Sequence, residues 1–435
     1  MRPARVPDGV ARFLTTPRLE VLLVATVWVA ILLPQIAASL SVTKGFEPIT
    51  EAPVASTPAV AAITTAANAL AVLVCAAVVL VRLRTVALRR VPVLVALLAP
   101  WVIAAVQLAV LGRPPGAAAL VFPAVAAAFW VLRPGPGAVR TVGYLTGLTA
   151  LVSLALGAFV PSAGRYPAQE AGLGKVIGPA GVLAGVMPSG NNLGLLLVVG
   201  LPTVLTIRRV SVRWTALGAV LLALAWTDSR TSWVAAVVVV LLLAALAWTR
   251  WPAVVAALGL GGLAAGGIIL PFITTEPTAF TNRASYWIPT LAAWREHPLT
   301  GFGADYFKRL AKTAENLGGH AFQAHNEWVQ LLITGGLLLT ATVLVLLGIA
   351  AVRAVRLAAD GTWWGAGWLA ALLTVSILEV PFGFVDRTMF LAVVLVPLCL
   401  LICADPVGGR SRTVAGEGTS RLPDPAAART GGRRG

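Results

Sequence analysis

The stretch HAFQAHNEWVQLLITGG, residues 320–336, places two of the chain's three histidines and an asparagine directly before an apolar run. Histidine titrates close to neutrality, so His325 could accept a proton from an attacking hydroxyl group. A structural interpretation competes with this one: His325 packs at the start of the following helix, or His325 or Asn326 caps it. The residue types alone leave both interpretations open.

A zinc site formed by His297, His320 and His325 is a further alternative, but their spacing fits no standard pattern of zinc ligands. The three cysteines all lie inside apolar segments, where they are predicted to pack as small apolar side chains. We therefore predict neither a bound metal ion nor a cofactor.

Four arginines in loops or at the ends of apolar segments form a second candidate group: Arg165, Arg230, Arg283 and Arg387. Pairing with a nearby acid, or simple snorkelling, explains any one of them taken alone. As a set, guanidinium groups that converge on one cavity would suit a phosphate-bearing ligand, because their planar fork binds phosphate oxygens in pairs.

The composition indicates which elements hold these residues. Hydrophobic residues make up 58% of the chain and charged residues 11%, and the mean hydropathy is +0.88, whereas a soluble domain carries roughly 25% charged residues. The first apolar run, Leu19–Leu40, has no small-residue cleavage site and is predicted to be the first span. The fold class is therefore an all-α, polytopic integral membrane protein.

Apolar runs bounded by turn formers or charges predict about twelve transmembrane helices. The predicted spans are 19–41, 59–81, 91–111, 116–132, 141–161, 190–207, 214–226, 231–249, 253–272, 326–352, 363–380 and 387–404.

Charge separates the two sets of connections between these spans. Of the 33 Lys and Arg residues, 22 lie in the set that includes both termini. The positive-inside rule therefore predicts that both termini are cytoplasmic in a multi-pass cell-membrane protein. The net charge of +16 is accounted for by this topology and by attraction to the lipid bilayer, so we predict no nucleic-acid partner.

Three regions follow from this topology. Residues 1–18 form a cytoplasmic N-terminus, residues 19–404 form the transmembrane domain, and residues 405–435 form a basic cytoplasmic tail that is predicted to be disordered. Two long connections, about 162–189 and about 273–325, face outward. A loop of some fifty residues in a chain with otherwise short connections indicates activity on the outer face.

The larger loop is predicted to contain two short helices. The first begins at an N-cap at Thr281 or Asn282 and has Trp287, Leu291 and Trp294 on one face. It is expected to lie on the membrane interface with its tryptophans at headgroup depth. The second, in ADYFKRLAKTAEN, is amphipathic and presents three basic residues.

The stretch 188–345 resembles the O-antigen ligase and O-antigen polymerase-like membrane glycosyltransferases. The resemblance rests on PSGNNLGLLLVVGLP (188–202), on DSRTSWVAAVVVVLLL (228–243), and on the large loop with HPLTGFG followed by HN and a glycine eleven residues after the histidine, Gly336. The family has a further glycine where this chain has Leu339, a departure expected to affect helix packing more than catalysis.

The resemblance implies a metal-independent reaction on the extracytoplasmic face. A glycan would move from a polyprenyl-pyrophosphate carrier to an acceptor hydroxyl on a glycan or a lipid-linked molecule. His325 would be the general base and Asn326 would orient it, while Arg230 and Arg283 would bind the pyrophosphate. Further candidates for the same cavity are Arg165, Asn191 and Arg387. Ligase and polymerase differ in their acceptor, and the sequence does not separate them.

Two other classes remain as alternatives. A transporter or flippase for lipid-linked glycan would place ionisable groups near the bilayer midplane or cations along the span interiors. The acid predicted within a span, Glu379, lies near its outer end, and the two halves show no repeat. A non-catalytic scaffold for envelope synthesis would leave the long aromatic and basic loop unexplained.

Overall fold

The computed structural model describes residues 16–41, 57–83, 90–166, 181–313, 323–385 and 388–404. The N-terminus up to residue 15, the tail from residue 405, His320 and Arg387 lie outside the described residues. The helices are α1 (Thr16–Ser41), α2 (Pro58–Arg82), α3 (Val91–Val110), α4 (Val121–Leu132), α5 (Pro136–Phe159), α6 (Pro161–Gly164), α7 (Gly190–Val204), α8 (Val210–Thr227), α9 (Arg230–Trp248), α10 (Pro252–Ile273), α11 (Ala279–Asn282), α12 (Ala284–Trp294), α13 (Tyr306–Thr313), α14 (Glu327–Ala359), α15 (Trp364–Val375) and α16 (Leu395–Cys403).

The predicted spans correspond to these helices. Within the described ranges, eight helices are long and apolar enough to cross a membrane: α1, α2, α3, α5, α8, α9, α10 and α14. The other four predicted spans coincide with the shorter apolar helices α4, α7, α15 and α16. Large apolar side chains such as Leu80, Leu241 and Leu258 remain exposed on the outside of the bundle, as expected of surfaces that face lipid. The prediction of an all-α polytopic membrane protein is confirmed.

Helix α14 is broken near its start, at Gly336. Its φ of 63° and ψ of −161° lie in a region of backbone conformation that is essentially restricted to glycine. The backbone of HPLTGFG lies in the gap and bonds to both sides of it: Phe302 N to Ile333 O (2.8 Å), Gly303 N to Thr334 O (2.9 Å), Leu337 N to Pro298 O (2.9 Å) and Leu338 N to Leu299 O (3.1 Å). The large loop is thereby fixed to the helix that follows it.

Two glycines, Gly301 and Gly336, allow the loop backbone to approach the broken helix closely. A Cβ atom on Gly301 would lie 2.6 Å from the carbonyl oxygen of Ile333, and one on Gly336 would collide with the backbone of Leu299. Irregular backbone at membrane depth is tolerated where protein surrounds it. The glycine predicted to belong to the HN motif, Gly336, is therefore the site of the helix break.

We expect Gly336→Ala to destabilise the protein by more than the roughly 1–3 kcal/mol that a strained backbone conformation costs by itself, because the added methyl group also collides with Leu299. Gly348 offers a matched control further along α14, since nothing lies within 4 Å of a Cβ placed there. Gly348→Ala should be neutral or stabilising by about 0.5–1 kcal/mol. Thermal unfolding in detergent compares the two variants, and equal midpoints would contradict a structural role for the break.

The first helix of the large loop is buried more deeply than expected. Trp287 is fully buried and Leu291 is 7% exposed; both pack against Val329 and Ile333 of α14. The prediction that this face lies at headgroup depth is therefore wrong for these two side chains, because the start of α14 covers them. Trp294 is half-buried, and its indole nitrogen donates to Pro298 O at 3.1 Å.

The predicted start of this helix is also wrong. Thr281 and Asn282 adopt left-handed conformations, with φ of 59° and 66°. Helix α12 instead begins at Ala284, with Arg283 in the cap position and no side-chain cap hydrogen bond. The left-handed turn directs Arg283 into the protein, where its guanidinium group donates to Leu378 O.

The second helix of the loop, α13, is amphipathic as predicted. Lys308 and Arg309 are exposed and Phe307 is buried. Asp305 ties the start of α13 to the rest of the bundle through an ion pair with Arg113 at 2.9 Å. Burial raises the pKa of Tyr306 beside it, so this phenol stays neutral at physiological pH.

The described ends of the first loop form a small hairpin, β1 (Arg165–Tyr166) and β2 (Val182–Leu183). The hydroxyl of Tyr166 donates to Pro188 O at 2.6 Å, and the indole of Trp226 donates to Gly181 O at 3.1 Å. These bonds attach the hairpin to the start of α7 and the end of α8.

Candidate functional site

The HN motif is positioned by Asn326, which caps α14 and is one of the two caps that the sequence left open. Its side-chain oxygen accepts from Val329 N at 2.9 Å, and its side-chain nitrogen donates to Ile377 O at 2.9 Å. Asn326 is fully buried. Both ends of its amide are therefore used within the protein, and they fix the backbone next to His325.

His325 is held in an unusual backbone conformation next to this cap. Its φ of 51° is left-handed, which is uncommon for a residue other than glycine and frequent at functional positions. The imidazole is half-buried. The Tyr286 ring lies 5.5 Å away between centroids, and the side-chain nitrogen of Gln323 lies 3.4 Å from Nδ1.

Arg283 lies three residues before Tyr286, and its guanidinium group has three partners. It forms an ion pair with Glu379 at 2.7 Å, donates to Leu378 O, and lies 3.5 Å from the hydroxyl of Thr231. The side chains of Arg283 and Glu379 are 15% and 5% exposed. A buried guanidinium group needs such partners, because burying an unpaired charge is costly.

A short segment after α15, Ser376–Glu379, joins the two halves of the site; we call it the junction segment. Four consecutive residues of this segment accept hydrogen bonds from the large loop or the start of α14. In order, Ser376 O binds Glu327 N, Ile377 O binds the Asn326 amide, Leu378 O binds Arg283, and the Glu379 carboxylate binds Arg283. Arg283 and His325 are thereby held on one support.

Arg230 reaches the same region from α9. It is the first residue of that helix and is exposed, while the next residue, Thr231, contacts Arg283. The Ser229 and Ser232 hydroxyls lie 2.9 Å apart and form the first turn with it. The structure therefore places the first turn of α9 against Arg283, and the helix that follows Arg283 carries Tyr286 beside His325.

Asn191 lies at the start of α7, directly against this turn. Ser189 caps the helix through a bond from Asn192 N at 3.3 Å. Cβ atoms on Gly190 and Gly194 would lie 2.7 Å from Thr227 O and 2.6 Å from Ser232 Oγ. Close packing of these glycines sets the PSGNN entrance of α7 beside the DSRTS turn.

The remaining predicted site residues are Arg165 and Arg387. Arg165 is half-buried in β1 opposite Leu183, in the hairpin that packs on the start of α7. Arg387 lies outside the described residues, so its predicted place in the cavity stays a prediction.

The zinc alternative rests on three histidines, of which the structure describes two. His297 is exposed and packs edge-on against Phe302 with ring centroids 4.7 Å apart. In the described part of the chain, no cluster of three or more His, Cys, Asp or Glu side chains could hold a metal ion. His320 lies outside it.

Three residues of the site were not predicted from the sequence. Tyr286 lies one helical turn after Arg283, so helical spacing could have indicated it. Gln323 lies two residues before His325, within reach of its ring. Glu379 was noted as an intramembrane acid, but its pairing with Arg283 joins positions 96 residues apart, for which the sequence holds no signal.

Part of the chain matches the model of a known family. Residues 215–344 match the family model described as O-Antigen ligase. The matched range includes Arg230, Arg283 and His325 and begins after Asn191. No match was found among curated proteins.

Proposed function

We propose that this membrane protein, part of which matches an O-antigen ligase family model, transfers a glycan from a polyprenyl-pyrophosphate carrier to an acceptor hydroxyl on the outer face of the cell membrane. The family match supports a role in joining cell-envelope glycans. The observation that supports the specific reaction is that Arg283 lies against the first turn of α9, which Arg230 begins, and is linked to His325 through Tyr286 and the junction segment.

The guanidinium groups are assigned to the donor. Arg230 is exposed at the first position of α9, whereas Arg283 is oriented by Glu379 and Leu378 O. Preorganised cations stabilise a leaving group best when they need not move as charge develops. We assign to Arg283 the charge that grows on the pyrophosphate as the glycosyl–oxygen bond breaks, and to Arg230 the capture of the donor.

His325 is assigned to the acceptor. The acceptor oxygen bonds to the anomeric carbon while the bond to the pyrophosphate breaks, and the electron pair of that bond leaves with the phosphate oxygen. The hydroxyl proton goes to the imidazole, a step in which a positioned base typically contributes 10²–10⁴-fold in rate. Asn326 supports this role by fixing the backbone that carries the ring.

The scheme uses guanidinium groups where other glycan transferases use a divalent cation. Two positive side chains are sufficient to bind a pyrophosphate bidentately, so we expect transfer to proceed in the presence of EDTA. The path by which the donor reaches Arg230 is proposed to be lined by the three further candidates, Arg165, Asn191 and Arg387.

The proposed topology places both termini in the cytoplasm and the large loop outside. Reporter fusions test it: a C-terminal fusion at residue 435 should be active only as a cytoplasmic reporter. An insertion in the exposed segment 275–278 should be active only as an extracytoplasmic reporter. The opposite pattern would place the site on the wrong face for the reaction.

The donor assignment predicts a specific binding behaviour. In nanodiscs, polyprenyl pyrophosphate should raise the thermal midpoint of the protein, because a ligand that binds only the folded state stabilises it. Arg230→Ala should weaken this binding at least tenfold, or about 1.4 kcal/mol. The control is Lys308→Ala, an exposed cation on α13 that should bind like the wild type. Equal effects of the two changes would indicate non-specific attraction to an anionic lipid.

A further inference from the structure

Gln323 is the residue nearest to the Nδ1 atom of His325, as far as the described contacts show. Its side-chain nitrogen lies 3.4 Å from Nδ1, and the side chain is 5% exposed. The backbone that follows Gln323 is held: Ala324 N donates to the Gln330 side chain at 2.9 Å, and Asn326 caps α14. The amide of Gln323 therefore lies beside the imidazole at the start of a hydrogen-bonded segment.

The position matters because a neutral imidazole carries its proton on one nitrogen and can accept a proton only on the other. An amide presents a donor on one side and an acceptor on the other, and a 180° rotation exchanges them without changing shape. The orientation of the Gln323 amide and the tautomer of His325 are therefore coupled. If the amide nitrogen donates to Nδ1, then Nε2 holds the proton and neither nitrogen is open to the acceptor hydroxyl.

We propose that Gln323 is the positioning residue that sets the tautomer of His325, with its carbonyl oxygen accepting from Nδ1–H so that the Nε2 lone pair faces the acceptor. This inference rests on the proposed base role of His325. When Nε2 takes the proton, the same bond to Nδ1–H persists and strengthens, because hydrogen bonds with a charged donor are stronger. The side chain of Gln323 lies 3.4 Å from Nδ1 without substrate, and catalytic hydrogen bonds of this kind often shorten when substrate binds.

An amide serves this purpose differently from a carboxylate. A carboxylate beside the ring favours the imidazolium form, which would remove the free base at neutral pH. The charged or titratable groups of the surrounding elements are Tyr286 and Arg283 of α12, Arg230 of α9, Glu327 of α14 and Glu379 of the junction segment. Glu327 accepts from Phe382 N at 3.0 Å and Glu379 pairs with Arg283, whereas the neutral amide of Gln323 lies beside Nδ1.

The chain's three histidines make the tautomer measurable. In a variant with His297→Gln and His320→Gln, ¹⁵N-labelled histidine reports His325 alone, in full-length protein in nanodiscs. We expect the Nδ1–H, bare Nε2 tautomer to dominate at neutral pH. Gln323→Leu, similar in volume but without polar atoms, should give a mixture of tautomers. A dominant Nε2–H tautomer in the Gln323 protein, or the same tautomer in the leucine variant, would overturn the proposal.

The pH dependence of transfer gives the second readout. Gln323→Leu should lower kcat about 10- to 100-fold, as expected for loss of a partner that orients a histidine, with little change in KM for the donor. Gln323→Glu should recover part of kcat near its optimum and move the acidic limb of the profile to higher pH. An unchanged limb with glutamate would contradict a contact with His325.

The two readouts separate this inference from the proposed function. The tautomer measurement needs no catalysis, so it remains interpretable if the protein transfers no glycan. Transfer that depends on His325 but is unaffected by Gln323→Leu would leave the proposed function standing and remove the role of Gln323. Thermal midpoints of the Gln323 variants within a few degrees of wild type exclude misfolding as the cause of a lower kcat.

Discussion

Replacement of His325 by alanine is expected to lower glycan transfer by about 10²- to 10⁴-fold, the contribution of a positioned general base. The loss should appear in kcat with the donor binding constant unchanged, because the imidazole is assigned to the acceptor hydroxyl. Stability should change little: the backbone around His325 is held by Asn326 and the junction segment, not by the imidazole. Transfer rates and thermal midpoints of purified protein provide the two measurements.

His297 supplies the matched control for this change. It lies in the same loop and is exposed, so His297→Ala should transfer glycan at close to the wild-type rate. Equal activity of His325→Ala and wild type would reduce His325 to a structural residue at the start of α14. Equal losses in both histidine variants would instead support a shared role of the histidines, such as metal binding.

Replacement of Arg283 by alanine should affect both activity and stability. The buried carboxylate of Glu379 loses its ion-pair partner, and breaking a buried pair on one side typically costs about 3–5 kcal/mol. Transfer should fall at least 10²-fold, because one preorganised donor to developing charge is worth about that much. Arg295→Ala, an exposed arginine just after the same helix, should leave both quantities near wild type.

A double variant separates the two effects of Arg283. Glu379→Gln removes the unpaired charge, so Arg283→Ala with Glu379→Gln should recover most of the lost stability without recovering transfer. Double-variant cycles are appropriate because the two side chains are in direct contact. Transfer that returns with stability would show that Arg283 only supports the fold, which contradicts its assignment to the pyrophosphate.

The membrane helices were predictable because hydrocarbon thickness and the cost of burying charge dictate their length and composition. The cap of α14 was predictable for a local reason: an asparagine directly before an apolar run satisfies a free backbone amide. Asn326 forms that bond with Val329 N. The span positions and this cap depend on information within about twenty residues.

The break in α14 could not be predicted in the same way. LLITGGLLLT reads as continuous apolar helix, and the distortion at Gly336 is stable only because the HPLTGFG backbone supplies partners from the preceding loop. Likewise, the pattern of α12 is the same whether lipid headgroups or protein cover the apolar face that carries Trp287. Which of the two covers this face depends on how the loop packs on α14.

The arginines illustrate the same limit within the site. Their residue type indicated an anion, and the motif match indicated Arg230 and Arg283. The sequence did not indicate that Glu379 and Leu378 O would hold Arg283, because those contacts arise only when α15 ends beside the large loop. Long-range pairing of this kind is set by the packing of helices, not by the pattern along any one of them.

The most direct test of the proposed reaction is transfer by the purified protein in nanodiscs with EDTA present. The donor is a polyprenyl-pyrophosphate oligosaccharide, and the acceptors are a second lipid-linked glycan or an envelope lipid extract. We expect one free polyprenyl pyrophosphate for each new glycosidic bond, in wild type and in His297→Ala but not in His325→Ala. Movement of intact lipid-linked glycan across the bilayer, with no bond formed and no pyrophosphate carrier released, would contradict transfer and identify the protein as a flippase.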